Sequence, residues 1–378
     1  MRICYFADGR YIHSHRWLRF FAERGHETHL LSFAPMEARH IAAVEKSGAR
    51  YHGEIGNFHV KRFWLTARDL RRLRHVLRSE RIQILHCHFL GANAWYAALS
   101  HFHPLVITVM GGGDVCGPSW HPRTLREWLL TPLALRRADL VTSWSPLMAK
   151  VVRPYCREQT QIEVIHGGID LRKFHPETKS RHLRARWNLP PEGKVIFSPR
   201  LMRPLSNIDR IATAAREVCE VYPNAHFLFA APAEQRDAAY EGKVIEILKQ
   251  SAAATKSSFI GAVPHEEMAD LYRLADVTVS IPSTDGTPMS VLESMACGTP
   301  VVVGDIPDYD SHYIEPGKTV LAARTNDSSD LAQAILRLLQ EPALAQELTG
   351  EARRRVELTG SYEAQMSQME KLYRGLFA

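Results

Sequence analysis

The sequence predicts an α/β protein made of two doubly wound parallel sheets. Three observations carry that prediction. Short apolar runs alternate with helix-length amphipathic segments, the pattern of strand–helix–strand units. The alternation restarts after a glycine-containing segment, His166-Gly167-Gly168-Ile169-Asp170. The length, 378 residues, suits two or three domains and buries sizeable cores.

In order, Arg2–Ala7 reads as a strand, Asp8-Gly9-Arg10 as a turn, and His15–Arg24 as a helix that Gly25 ends. Strands are expected at Thr28–Phe33, Ile82–His86, Leu105–Val109, Leu140–Ser143 and Glu163–Ile165. Helices are expected near Ala67–Arg81 and Gly91–His101. In the second half, strands fit Lys194–Ser198, Ala225–Ala230, Ser258–Ile260, Val277–Ile281 and Val301–Val303. Helices fit Ile208–Val221, Glu234–Leu248, Glu266–Arg273 and Pro288–Cys297, and Ser329–Ala378 reads as wholly helical. The expected division is residues 1–165, 166–360, and a last helix, 361–378, crossing back to the first domain. Open parallel sheets bind ligands at the carboxyl ends of their strands, so the cleft that two such domains face is the default site.

Composition narrows the class. Apolar residues make up 45% and charged residues 23%, which excludes disordered, collagenous and coiled-coil chains. No apolar run of about 18 residues predicts a membrane-spanning helix. The first residues read as a strand rather than a signal peptide. The 6 cysteines stand singly, without a CxxC pair, so neither a zinc site nor a disulfide framework is expected. A cytoplasmic location follows as the expectation. The net charge of +6 is uneven: residues 1–165 are strongly basic and the remainder mildly acidic. A basic half suits an anionic partner such as a membrane surface, a lipid diphosphate or an acidic glycan. No nucleic-acid motif accompanies it, so nucleic acid is not an expected partner.

The segment Lys61–Arg81 combines many arginines with a Leu70, Leu73, Leu77 stripe behind Phe63 and Trp64. It reads as a helix packed on the sheet with a solvated basic face, and also as an interfacial membrane helix. His13, His15 and the His86-Cys87-His88 strand end are candidate polar contacts. No acidic or cysteine partner joins them at ligand spacing, so no metal is expected.

The richest stretch is Ser283-Thr-Asp-Gly-Thr-Pro-Met-Ser-Val-Leu-Glu-Ser-Met-Ala-Cys-Gly-Thr-Pro-Val-Val. Asp285 and Gly286 form a turn after an apolar strand. Thr287 is the expected N-cap and Pro288 the first helical residue. The N–H groups near Met289 and Ser290 then make an anion site suited to a diphosphate. Glu293, further along the helix, can accept from a ribose diol. Asp285 can accept from sugar hydroxyls.

Asp285-x7-Glu293 resembles the E-x7-E motif of the family 4 (group 1) retaining glycosyltransferases of GT-B fold, with a shorter first acid. Phe259-Ile-Gly-Ala-Val-Pro-His-Glu-Glu, Tyr272-Arg-Leu-Ala-Asp-Val-Thr-Val-Ser and Ala-Cys-Gly-Thr-Pro-Val-Val resemble the same family. The resemblance implies a nucleotide-diphosphate sugar as co-substrate, no cofactor, and no metal in the chemistry. It implies catalytic roles for Asp285 and Arg200. Donor contacts would come from Glu293, Arg203, Gly286, Thr287, Pro288, Met289, Ser290 and Val263. The family's lysine position falls near Leu205-Ser206, where Arg203 is the replacement. Met110 stands where the family often carries a histidine that approaches the sugar. Acceptor contacts are expected from Gly9, His13, His88, Gly111, Gly112 and Asp114 in the first domain. The implied activity is retaining transfer to a glycan or glycolipid hydroxyl, in cell-surface polysaccharide assembly at the inner face of the plasma membrane. A nucleotide-sugar 2-epimerase and a non-catalytic nucleotide-sugar-binding subunit are the alternative readings.

Overall fold

The computed structural model describes residues 1–56, 58, 63–110, 124–177, 181–187, 189–230, 237–261, 263–265 and 267–377. The chain divides into two compact units, Met1–Gly167 with Gln365–Ala378, and Gly168–Ala364.

The first unit runs β1 (Arg2–Ala7), α1 (Ile12–Glu23), β2 (Glu27–Ser32), α2 (Ala38–Lys46), β3 (Arg50–Glu54), α3 (Phe63–Ser79), β4 (Ile84–His88), α4 (Ala92–Ser100), β5 (Leu105–Val109), α5 (Leu125–Arg137), β6 (Leu140–Ser143), α6 (Pro146–Val152) and β7 (Gln161–Val164). Its sheet has the order β3-β2-β1-β4-β5-β6-β7, parallel throughout. The second unit runs α7 (Arg181–Arg186), β8 (Lys194–Ser198), α8 (Ile208–Val221), β9 (Ala225–Ala230), α9 (Ala238–Lys249), β10 (Ser257–Ile260), α10 (Met268–Leu274), β11 (Val277–Ser280), α11 (Met289–Ala296), β12 (Val301–Gly304), β13 (Leu321–Ala323), α12 (Ser328–Gln340) and α13 (Pro342–Arg355). Its sheet is β10-β9-β8-β11-β12-β13, again all parallel. The final helix α14 (Tyr362–Gly375) begins in the second unit and ends in the first.

The central strands are continuous apolar runs because helices cover both faces of each sheet. Every residue of β4, β5, β9 and β11 is buried. On one face of the first sheet Cys4, Phe6, Leu85 and Ile107 meet α3 and α4 through Leu73, Leu77, Ala94 and Ala97. In the second unit α8 shows helical spacing at Ile208, Ile211, Ala212, Ala215, Val218 and Cys219, all buried. Asp237 and Asp327 cap α9 and α12 through their carboxylates, satisfying first-turn N–H groups.

Edge elements depart from the sequence reading. β3, Arg-Tyr-His-Gly-Glu, carries little apolar signal because it pairs on one side only. β13 is three residues long and is likewise an edge. The stretch expected as one long helix is three. Pro342 starts α13, and a wide turn at Val356–Gly360 lets Gly360 lie against the Tyr313 ring. There the chain forms a bridge between Ile169 and Ser361, with the Tyr362 N–H donating to the Ile169 carbonyl at 2.8 Å. Gly168 sits at φ +64°, and a Cβ on it would fall 2.4 Å from Tyr362 Cα, so only glycine fits this close approach.

The basic α3 is a packed helix. Arg72 donates to the carbonyls of His52 and Glu54, and Arg74 to those of Leu99 and Ser100. Arg71 and Arg78 stay exposed, and Lys61 and Arg62 lie outside the described residues.

Candidate active site

In the second unit the strand order reverses between β8 and β11. Loops leaving their carboxyl ends therefore diverge and open a crevice. The β8 loop carries Arg200 and the β11 loop carries Asp285. Their side chains meet: Arg200 Nη1 lies 2.9 Å from Asp285 Oδ2. The two loops are also joined through their backbones. The Ser283 N–H donates to the Leu205 carbonyl, and Asn207 Nδ2 donates to the Ile281 carbonyl, each at 2.9 Å.

The turn itself is braced. The Gly286 N–H donates to Asp285 Oδ1, and the Asp310 N–H donates to the Gly286 carbonyl. Thr287 is not the N-cap that its sequence position predicts. Its hydroxyl is drawn instead to Asp310 Oδ2 at 3.1 Å, and Pro288 occupies the cap position of α11. This shift leaves the free N–H groups at the helix start unchanged. The first intrahelical acceptor is the Pro288 carbonyl, taken by Val291 and Leu292, so the N–H groups of Met289 and Ser290 stand ahead of the ladder.

Glu293 projects from α11 with both oxygens engaged. Oε1 is 3.0 Å from His265 Nε2, and Oε2 accepts from the Tyr272 hydroxyl at 3.0 Å. Lys173 Nζ approaches His265 Nδ1 at 3.4 Å. Burial, reinforced by the Glu293 charge, pushes the Tyr272 phenol well above its usual range, so it stays a donor. A carboxylate oxygen has two lone pairs, so this clamp orients Glu293 and leaves acceptor capacity. Sequence reading placed His265 and Tyr272 in characteristic segments without assigning them this task.

Several hydroxyls around the crevice have no partner among the described residues. They are Ser198 at the end of β8, Ser280 at the end of β11, Ser290 in the first turn of α11, and Tyr309. Tyr309 is buried, and burial followed by the Asp285 charge raises its phenol. Buried polar atoms in folded chains are normally satisfied. Tyr309 escaped the sequence reading because a lone tyrosine beyond the helix carries no spacing signal. Arg203 is exposed on the β8 loop, and Val263 is half-buried.

The first unit has the matching reversal between β1 and β4. Gly9 follows β1, but its lack of a side chain serves packing: a Cβ would fall 2.5 Å from Met36 Sδ. His13 lies in the first turn of α1, edge-on to Trp144 at 4.7 Å. His88 is 1% exposed, enclosed by Tyr5, Trp17 and His86, with both ring nitrogens unpartnered among the described residues. It does not line a surface as the sequence reading expects, because it closes β4 beneath the aromatic layer. Burial, then the His13 charge, pushes it down to about 3, so it is neutral at physiological pH. Met110 is also buried. Gly111, Gly112 and Asp114 lie outside the described residues.

No histidine–carboxylate set was expected from spacing, yet the fold assembles one away from both crevices: His29, His52 and Glu80. No helix of the described chain is long and apolar enough to cross a membrane.

Residues 179–355 match the family model for group 1 glycosyl transferases, and residues 10–173 match that for glycosyltransferase family 4. A D-inositol 3-phosphate glycosyltransferase from Rhodococcus opacus is 27% identical over 221 residues, 58% of this chain and 49% of the relative. The chain thus spans about half the length of that relative. A protein of the same name from Streptosporangium roseum is 25% identical over 330 residues, 80% of this chain and 73% of its own. Among solved structures, a Rickettsia africae glycosyltransferase superposes with a TM-score of 0.83 at 14% identity, covering 100% of this chain and 98% of its own. An Anabaena protein crystallised with UDP and glucose gives 0.79 at 14% identity, covering 99% and 100%.

Proposed function

The chain belongs to the group 1 glycosyltransferases and has the GT-B fold, and from that premise we propose that it moves a sugar from a nucleoside-diphosphate sugar to a hydroxyl of a glycan or glycolipid acceptor, with retention. The observation that carries this reading is the Arg200–Asp285 pair beside the start of α11, at the reversal point of the second sheet. The UDP in the Anabaena structure supports a nucleotide as the ligand of such a unit.

Arg200 and Asp285 neutralise each other across the two loops. An arriving diphosphate offers Arg200 a more highly charged partner and frees Asp285 to accept from sugar hydroxyls. When the glycosidic bond breaks, its electron pair goes to the diphosphate oxygen. Arg200, with Arg203 as second cation, and the N–H groups of Met289 and Ser290 meet that charge. The same oxygen takes the proton of the acceptor hydroxyl as it attacks from the same face. Glu293, held by Tyr272 and His265, receives the ribose diol. No step calls on a metal.

The first unit takes the acceptor, and a surface location fits its outer features. Trp64, Leu125, Trp128 and Leu129 are each more than half exposed. Beside the exposed Arg71 and Arg78, His75 and His101 line a basic groove. Exposed apolar side chains and a basic groove on one unit suit an anionic membrane face and a role in cell-surface polysaccharide assembly on its cytoplasmic side.

Nucleotide release from UDP-, GDP-, ADP- and dTDP-sugars tests the reading. Bacterial lipid extract or D-inositol 3-phosphate serves as acceptor, beside the Asp285→Ala/Glu293→Ala variant. The expected result is acceptor-dependent release from one donor, lost in the variant. Nucleotide binding without release from any donor would instead fit a non-catalytic subunit. Acceptor-free conversion of the donor to an epimer would fit an epimerase.

A further inference from the structure

We propose that His29, His52 and Glu80 form a zinc-binding site that staples the edge strand β3 to β2 and to the end of α3, separate from the sugar-transfer machinery. The three residues come from three elements: mid-β2, mid-β3 and the residue after α3. Each offers one ligand atom, and these atoms lie within 4.8 Å of one another. His29 Nδ1 and His52 Nε2 are 2.9 Å apart, and their rings stack at 17° with centroids 5.1 Å apart. Ligand atoms around a tetrahedral zinc ion at its usual bond lengths are separated by about 3.3 Å. The His29–His52 separation is a few tenths of an ångström short of that value, and Glu80 offers its oxygen within the 4.8 Å bound of the set.

His29 is fully buried and its Nδ1 faces His52, so an ion between the two rings would take the place of their shared hydrogen bond, and His29 Nε2, without a partner among the described residues, points away from it. The backbone at His52 is already fixed. Arg72 donates to the His52 carbonyl at 2.8 Å and to the Glu54 carbonyl at 2.9 Å. Gly53 between them sits at φ +89°, where a Cβ would meet the Arg72 guanidinium. The ligand strand is thus held in place before any ion arrives.

Two imidazoles and one carboxylate suit a borderline cation, zinc before calcium or magnesium, and leave a fourth position for water. Arg50, 3.4 Å from Glu80, is mostly solvent-facing and can turn outward when the carboxylate takes the ion. The ion would add to the attachments β3 already has, its pairing with β2 and the two Arg72 hydrogen bonds.

The test uses the full chain after chelator treatment. Zinc chloride is titrated calorimetrically into the wild type, Glu80→Gln and His52→Gln, each checked by circular dichroism. Cobalt(II) is added in parallel as a spectroscopic probe. The expected result is one tight zinc equivalent in the wild type, weakened at least tenfold in both variants. Intense visible cobalt bands of tetrahedral type, and a zinc-dependent rise in Tm in the wild type alone, should accompany it. Equally tight zinc in all three proteins would assign the ion to other histidines and overturn the site. Absence of tight binding in the folded wild type would leave a hydrogen-bonded cluster only. Neither outcome touches the donor-site reading, which rests on other residues.

Discussion

The β1/β4 end of the first unit and the β8/β11 end of the second occupy the same topological position, yet they are built differently. In the first, the loop after β1 pairs Asp8 with Arg10 two residues on, at 2.7 Å, above the rings of Tyr5, Trp17, His86 and His88. In the second, the pair joins two loops, Arg200 after β8 and Asp285 after β11, and the hydroxyls of Ser198, Ser280, Ser290 and Tyr309 have no partner among the described residues. The difference teaches that reversal of strand order supplies only the crevice. The residues on the two divergent loops decide what it can hold.

The largest effect that should separate the two ends is on turnover. Arg200→Ala removes the cation facing the departing diphosphate and should lower kcat/KM by about 10²–10³-fold while leaving the fold intact. Steady-state kinetics alongside circular dichroism check this.

The first unit should respond in stability instead. A hydrogen-bonded chain runs from Thr142 through Thr108, His86 and Tyr373 to Tyr5, tying α14 to the sheet. Tyr373→Phe strands His86 Nδ1 in a buried site and should cost about 1–3 kcal/mol in urea unfolding. Nucleotide affinity should not change. A matching loss of affinity would break the comparison.

A third test sharpens the second unit. Glu293→Gln keeps shape but loses the charge that Tyr272 and His265 hold, and should weaken nucleotide binding about tenfold. A wild-type affinity would mean that the clamp serves packing alone.

The smallest effect concerns α14 and pH. Burial would raise the Glu370 carboxyl, but hydrogen bonds from Arg374, His26 and Arg24 outweigh it and hold it at about 2. A depressed carboxyl stabilises the fold above the unfolded value near 4.5 and loses that contribution as pH falls toward 2. Glu370→Gln should therefore lower stability by roughly 1 kcal/mol at neutral pH, because two of its partners face solvent. The difference from wild type should shrink below pH 4.5.

Sequence legibility follows the same divide. The strands Arg2–Ala7, Leu105–Val109, Lys194–Ser198 and Ala225–Ala230 were readable to the residue because buried parallel strands are unbroken apolar runs. β3 was invisible because an edge strand with His52 and Gly53 lacks that signal. Asp285 and Glu293 stand out in the sequence because they sit in a strand–turn–helix stretch, whereas Arg200 is singled out by the family resemblance alone. Tyr309 and the His265–Glu293–Tyr272 clamp were not readable, because they depend on contacts between segments distant in sequence. His88 illustrates the converse: a histidine at a strand end looks like a ligand contact until the aromatic layer above it is seen.

The most direct measurement is calorimetric titration of nucleoside diphosphates into the wild type, Arg200→Ala and Tyr373→Phe. The account predicts one diphosphate bound with equal affinity by the wild type and Tyr373→Phe, and at least tenfold more weakly by Arg200→Ala. Undiminished binding by Arg200→Ala would contradict the assignment of the β8/β11 crevice as the donor site.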